Sequence, residues 1–514
     1  MPTPIGGAAR TSHPLAALVF WLLIAMFVFL PLFRAGATPV AAIVSQLLSL
    51  AVLVTVFWAP RNLPLSRKEF LVLAGLVLLP LSFLIPLPAE LVAALPGRGI
   101  HRDAQALLQT DAPNVWRAAS VYPLATAQAA TALLLPLAVF IGVRTLDSRR
   151  LVVLAQLLIG IAVLQGLLGV VQFQTAQTGE KLLYIAGSHR DSGTGTYANR
   201  NHLAGLIEMT LPLALALFFF TLAGEHQGFR SSSGWKRRVR FLGNRQGNVA
   251  LAYGIVVLLL ILGVVFTRSR AGISLSIVAI LLSASLFSGR IGRHGLLGPA
   301  GTIAVIAVAV ALAIGLAPVL ERFSVQGVVN DLRFVVFAAT MDGIAALFPV
   351  GSGPGTYPDV FLSFQPIETG NKWVNRAHND YLEWIFDGGI VAMLLIVAVL
   401  ALFVYQWTRV YTRGAWSQSR YLQVGAGIGL LLIGMHEVVD YNLHTPANQL
   451  VFAFLAGIFF APPSASEEGS LPRARESRRS PNPKAPDSAA VRPTGFDPVP
   501  PNQIENPFRK PKSD

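Results

Sequence analysis

An all-α, polytopic integral membrane protein of about twelve transmembrane helices, with one long polar loop late in the chain, is the fold this sequence predicts. Three observations predict it. Of 514 residues, 53% are hydrophobic and 13% are charged, for a mean hydropathy of +0.57. Apolar windows of about 18 to 22 residues recur along the chain, each long enough to cross ~30 Å of hydrocarbon as helix. The basic residues collect in alternate links between those windows, as the bias of cytoplasmic loops toward Lys and Arg requires.

The net charge of +14 would point to nucleic acid in a soluble protein. Here no nucleic-acid partner is expected, because most Lys and Arg fall in short links and in the tail, where they set orientation. No cysteine occurs, which excludes disulfides, thiolate nucleophiles and cysteine metal sites.

In chain order, a short polar start at 1–14 carries Arg10. Expected spans follow at 15–32, 37–58, 70–87, 125–142, 151–171, 202–222, 249–266, 271–288, 298–317, 388–406, 421–436 and 447–461. The first apolar run is followed by many more and lacks a small-residue cleavage site, so a cleaved secretory signal is not expected. With the N-terminus cytoplasmic, the inner links are 59–69 (Arg61, Arg67, Lys68), 143–150 (Arg144, Arg149, Arg150), 223–248 (Arg230, Lys236, Arg237, Arg238, Arg240, Arg245), 289–297 (Arg290, Arg293) and 407–420 (Arg409, Arg413, Arg420). Each is net basic, and an even number of spans returns the C-terminus to the cytoplasm.

The opposite face receives 88–124, 172–201, the tight link from Thr267 to Arg270, the long stretch 318–387 and the link from Val438 to Pro446. Residues 88–124, with Trp116, Tyr122 and Pro123, predict interfacial helix at headgroup level. Residues 1–461 form the expected membrane domain. Residues 462–514, rich in Pro, Ser, Arg and Lys, cannot build a core and predict a disordered cytoplasmic tail.

Four polar constellations gather on the outer face. Arg268 and Arg270 lie between two apolar runs in Phe266-Thr267-Arg268-Ser269-Arg270-Ala271-Gly272. They either snorkel to headgroups or pair with an aspartate, or they clamp an anion, since guanidinium forks match phosphate oxygens. The stretch 187–205 is rich in Gly and Asn, includes Asn199, Arg200 and His202, and leads into a helix start. Its glycines read as turn chemistry with an Asn201 cap, or as free N–H groups favouring an anion or sugar hydroxyl. In the long loop, Asp331-Leu332-Arg333 precedes a helix from Phe334 to Phe348 that ends at Gly351-Ser352-Gly353-Pro354-Gly355-Thr356-Tyr357. The absence of Gly-Lys-Ser/Thr excludes a nucleotide P-loop. His378 follows, with Arg376, Asn379, Asp380, Tyr381 and Glu383 around it, a set that an apolar core cannot satisfy. An imidazole that ordinarily titrates near pH 6.5 suits a proton acceptor.

The last constellation spaces His436, Asp440 and His444 by four, as three ligands on one helical face would be. Pro446 and the polar link argue for a helix end instead, and no His-Glu-x-x-His occurs, so no metal is expected. Asp440 is read as pairing an arginine or orienting a histidine.

These pieces together resemble the O-antigen ligase and O-antigen polymerase superfamily of bacterial inner-membrane glycosyltransferases. They are Gly195-Thr196-Tyr197-Ala198-Asn199-Arg200-Asn201-His202-Leu203-Ala204-Gly205; Thr267 to Gly272; Arg333 leading to Pro349 to Gly355; Ala377 to Trp384 with Gly388-Gly389; and Val439 to His444 with Pro446-Ala447-Asn448. They span about 195–450.

The resemblance implies a GT-C-like helical fold that moves a glycan from an undecaprenyl-pyrophosphate carrier to a glycan, lipid or protein acceptor at the periplasmic face. It assigns acceptor activation to His378. Arg270, and with it Arg200 and Arg333, match the positions that hold the carrier's pyrophosphate. Asp380 or Asp440 would fix the His378 tautomer. Arg268, His202, Asn199, Arg376, Asn379, Tyr381 and Glu383 complete the candidate binding set. No cofactor and no divalent metal are implied. A multi-span transporter or flippase of lipid-linked glycan is the alternative; it predicts interrupted spans meeting at mid-membrane and an inverted repeat. No clear repeat is visible, and the polar clusters gather at one face. A structural or regulatory scaffold leaves the outer Arg, His and Asp set without a reason.

Overall fold

A computed structural model of the chain describes residues 14–58, 65–99, 116–177, 192–225, 245–288, 332–412 and 416–462. Thirteen helices of ten or more residues build these segments. They are α1 (Pro14–Leu32), α2 (Pro39–Trp58), α3 (Arg67–Leu84), α4 (Pro123–Ala132), α5 (Leu134–Arg144), α6 (Ser148–Gln177), α7 (Arg200–Glu225), α8 (Arg245–Thr267), α9 (Arg270–Ser288), α10 (Leu332–Leu347), α11 (Asp380–Thr412), α12 (Gln418–His436) and α13 (Pro446–Phe459).

Local chemistry sets several boundaries. Helix α3 starts on a capping box: Glu69 N donates to Ser66 Oγ at 3.3 Å while Ser66 N donates to Glu69 Oε2 at 2.7 Å, satisfying two otherwise orphaned donors. Pro136 has no N–H to offer the carbonyl of Ala132, so α4 breaks from α5 there, and the two form one span, Pro123–Arg144. Helix α11 is kinked at Gly389, whose φ of 56° and ψ of −140° no side chain tolerates well. A Cβ there would lie 2.1 Å from Pro349 O.

Among the described residues, eight helices are long and apolar enough to cross a membrane, and the all-α polytopic class holds. Three other expected spans are helices that fall outside that measure. Helix α3 opens on Arg67, Lys68 and Glu69, α13 has 14 residues, and α12 carries Gln418, Arg420, Gln423 and four glycines. The expected span 298–317 and the tail at 463–514 lie outside the described residues. One small departure from pure helix occurs in the outer arm, where Pro86–Pro88 (β1) and Trp116–Ala118 (β2) pair antiparallel with Leu87 opposite Arg117. The interfacial helix expected across 88–124 is reduced, in its described part, to Ala89–Ala94.

Helix α7 is the axis of the bundle. Its apolar window is 94% buried, against 17% for α11, and α6, α8, α9, α12 and α13 pack around it. Lipid tails are as apolar as leucine, so these helices associate through close packing of small residues rather than through a hydrophobic drive. Helix α12 illustrates it: a Cβ on Gly429 would lie 2.8 Å from Met209 O on α7 and 2.9 Å from Leu455 Cδ1 on α13. That closeness explains why α12 can be polar by composition, since it faces protein. Gly429→Leu is expected to destabilise the fold by about 1–3 kcal/mol, the usual cost of overpacking, and thermal melting of the solubilised protein measures it.

At one end of the bundle, Arg144 reaches Glu69 at 3.3 Å and also donates to Phe460 O, which joins the start of α3 to the ends of α5 and α13. Lys68 Nζ stands 3.8 Å from the Tyr405 ring centroid at the same end. At the other end α7, α9, α11 and α13 begin, so their positive helix-dipole ends share one face. The polar constellations are there.

Candidate functional site

The first turn of α7 organises this face. Asn199 caps it, its Oδ1 accepting from Asn201 N at 2.9 Å, a typical N-cap bond. The cap is therefore Asn199, where the sequence pointed to Asn201; Asn201 instead donates from Nδ2 to Asp440 Oδ2. In the described part of the glycine-rich lead-in, the N–H groups of residues 193–196 are taken within the protein. Thr194 N and Gly195 N donate to Gln172 Oε1 at 3.0 and 2.8 Å, Thr196 N donates to Gln165 Oε1 at 2.9 Å, and Gly193 N donates to Phe266 O at 2.8 Å. Gln165 and Gln172 are seven apart on α6, hence on one face, and both are buried. They dock the loop, which makes the turn reading of those glycines the correct one.

Asp440 is the node of the site. It is fully buried between α12 and α13, and its Oδ1 lies 3.4 Å from His378 Nδ1, an ion-pair separation. Its Oδ2 lies 3.5 Å from Arg333 Nη2, and Arg333 Nη1 donates to Val439 O at 2.6 Å. Burial alone would raise the Asp440 pKa; His378, Arg333, His202 and His436 outweigh it and hold the carboxyl well below the usual carboxylate range. The carboxylate is ionised at neutral pH. His378 and Arg333 keep 28% and 27% of their side chains exposed, so both line the accessible side of a buried anion. His378 has a φ of 52°, a left-handed backbone that costs a non-glycine residue of order 1–3 kcal/mol and clusters at functional sites. Tyr441 sets its ring edge-on between His378 and His202, 4.9 Å from each.

A second polar cluster lies beside the first. Arg376 Nη1 donates to Glu383 Oε1 at 2.7 Å and Ala377 N donates to Glu383 Oε2 at 2.9 Å. His444 Nε2 lies 3.2 Å from Glu383 Oε1 and 3.4 Å from Asp380 Oδ1. The three ligand types Asp380, Glu383 and His444 fall within 4.8 Å of one another. Burial and the Arg376 guanidinium act to lower the His444 pKa, but Asp380 and Glu383 prevail and push it up to about 9. Arg376 Nη1 and His444 Nε2 both stand against Glu383 Oε1. Two cations and two carboxylates thus close on each other.

Because the folded-state pKa of His444 lies above the ordinary 6.5, its contribution to stability is complete below about pH 6.5 and is lost as pH rises through about 9. Thermal melting between pH 7 and 9.5 should fall more steeply in the native protein than in His444→Gln.

Several other candidates also make bonds that hold the scaffold together. Asn379 Oδ1 accepts from Leu382 N at 3.1 Å and caps α11. Tyr381 OH donates to Gly434 O at 2.7 Å, tying α11 to α12. His202 Nδ1 and Thr445 Oγ1 hydrogen-bond at 2.7 Å, and Asn448 Nδ2 donates to His202 O at 3.0 Å. The glycine-rich turn at 351–355 is likewise structural: Gly355 N donates to Asp387 Oδ2 at 2.7 Å, Ser352 Oγ to Asp387 Oδ1 at 3.1 Å and Ser352 N to Phe386 O at 3.0 Å. The fully buried Arg98 fastens the outer arm to this turn, with Nη2 donating to Gly351 O at 2.9 Å and Nε to Ala119 O at 3.0 Å.

Arg200 and Arg270 are the first residues of α7 and α9, and Arg268 sits in the link before α9 with a φ of 55°. A Cβ on Gly272 would lie 2.5 Å from Ala204 Cβ, so α9 begins against the first turn of α7. That turn meets the Asp440 loop on another side, where Asn201 and Gly205 reach Asp440 and Asn442. The arginine-bearing helix starts and the His378–Asp440 pair thereby flank one turn of one helix. Arg98, Asp387, Gln165 and Gln172 were not among the sequence candidates, and neither was Glu208, a carboxylate inside an apolar run and the one visible signal in that set.

Residues 255–397 match the family model described as O-Antigen ligase. The match supports the O-antigen ligase and polymerase superfamily and, with the apolar helices, a bacterial membrane protein. No curated protein matches the chain at a significant level.

Proposed function

We propose, from the premise that residues 255–397 are an O-antigen ligase segment of a membrane glycosyltransferase, that this protein transfers a glycan from an undecaprenyl-pyrophosphate carrier to an acceptor hydroxyl at the periplasmic face of the bacterial inner membrane. The observation that carries the reading is the half-exposed His378 paired at 3.4 Å with the fully buried Asp440, at the face where α7, α11 and α13 begin.

In this reading Asp440 holds His378 Nδ1 and leaves Nε2 to accept the acceptor's proton. The acceptor oxygen forms its bond to the glycosyl C1, the bond from C1 to the pyrophosphate oxygen breaks, and its electron pair leaves with the carrier. Arg270, Arg200 and Arg333, with the dipole ends of α7 and α9, stabilise the charge on that leaving group. No acid is needed for so good a leaving group, and direct attack inverts the anomeric centre; a product of retained configuration would contradict the step. In this reading transfer proceeds without a divalent metal, and Arg376 and His444 serve as the partners of the Glu383 carboxylate. EDTA is expected to leave the rate unchanged.

The test is to incubate purified protein with undecaprenyl-pyrophosphate-linked glycan and a choice of acceptors, then identify the product. Lengthened carrier-linked chains indicate a polymerase, glycan on lipid A core a ligase, and glycan on peptide a protein transferase. No product with any of them would overturn the reading.

A further inference from the structure

Two turns below the site, α7 and α12 share an ionisable pair that the transfer scheme leaves unused. His436 Nδ1 lies 2.9 and 3.0 Å from the two carboxylate oxygens of Glu208, and both side chains are fully buried. Charged groups inside membrane helices are costly and mark function more often than packing. Asn201 and Glu208 are seven residues apart, hence on the same face of α7. Asn201 donates to Asp440 and Glu208 meets His436, so α7 grips both ends of the segment 436–440. Val439 N donates to His436 O at 2.9 Å, which makes that segment a tight turn rooted in His436.

We infer that Glu208 and His436 are a positioning pair that sets both the place and the charge of the His378–Asp440 unit. The inference rests on the transfer reading. The groups facing Asp440 are Arg333 from α10, His378 from the loop before α11, His202 and Glu208 from α7, and His436 and Glu437 from the end of α12. His436 closes the turn beneath Asp440 while Arg333 pairs with the carboxylate from the side. Removing the Glu208 carboxylate takes away the anchor of the His436 ring and a buried charge beside the His378–Asp440 unit.

The test uses the full chain in nanodiscs with undecaprenyl-pyrophosphate-linked glycan and the acceptor that the wild type uses, over pH 5 to 9. Glu208→Gln keeps the shape and a hydrogen bond but removes the charge. It is expected to lower kcat about tenfold with donor KM unchanged, and to shift the acidic limb of the rate profile by roughly half a unit. Glu208→Asp, which keeps the charge, should leave that limb at its wild-type position. If Glu208→Gln fails to accumulate, the Glu208→Gln, His436→Gln double variant leaves no unpaired buried charge and carries the same expectation. An unmoved limb with wild-type kcat, or a change in KM alone, would overturn the inference while an active wild type upholds the transfer reading. A wild type that forms no product overturns both.

Discussion

His378→Ala is expected to lower kcat by about 10²–10⁴-fold, the range a positioned general base supplies, while donor binding is retained. The asymmetry follows from the geometry: His378 sits on the accessible side of Asp440, 3.4 Å away, and the proposed donor-binding role falls to Arg200, Arg270 and Arg333. Alanine keeps the Cβ that a φ of 52° disfavours, so the substitution leaves the backbone strain at 378 in place. Binding of carrier-linked donor, measured beside turnover, checks the prediction. Lost donor binding would move His378 into the pyrophosphate group.

Arg270→Ala is expected to lower kcat/KM for the donor by about 10²–10³-fold, as removal of one preorganised stabiliser of transition-state charge does. Arg270 opens α9, where Ser269 Oγ accepts from Gly272 N at 3.3 Å and the helix dipole already favours an anion. Arg270→Lys keeps the charge but not the fork, and should recover only part of the loss. Normal turnover in Arg270→Ala, with the protein inserted at wild-type levels, would contradict the assignment.

Helix positions were readable because span length and the Lys and Arg bias are local, repeated signals. Helix α12 strained that reading because its environment is protein, not lipid, and its glycines serve contacts such as Gly429 against Met209 O. His378, Arg333 and Asp440 were readable as polar residues in outer links, but their meeting was not, since Arg333 and Asp440 are 107 positions apart. The glycine-rich stretch at 192–199 allowed both turn chemistry and an anion cradle, and Gln165 and Gln172 take the N–H groups of Thr194, Gly195 and Thr196. At 351–355, read as a turn, Asp387 takes the N–H of Gly355. Those three partners sit in or beside apolar runs, where composition alone gives a polar residue no address. Arg98 is the extreme case, reading as one more basic residue in an outer arm and proving to be buried against a turn 253 positions away.

The central claim is that this face of the bundle breaks the bond between glycan and pyrophosphate and makes a new glycosidic bond. Counting free undecaprenyl pyrophosphate against newly glycosylated acceptor, in wild type and His378→Ala, tests it most directly. One carrier released per bond formed, with both lost together in the variant, is the predicted result. Donor that crosses the membrane chemically intact, with no carrier released, would contradict it.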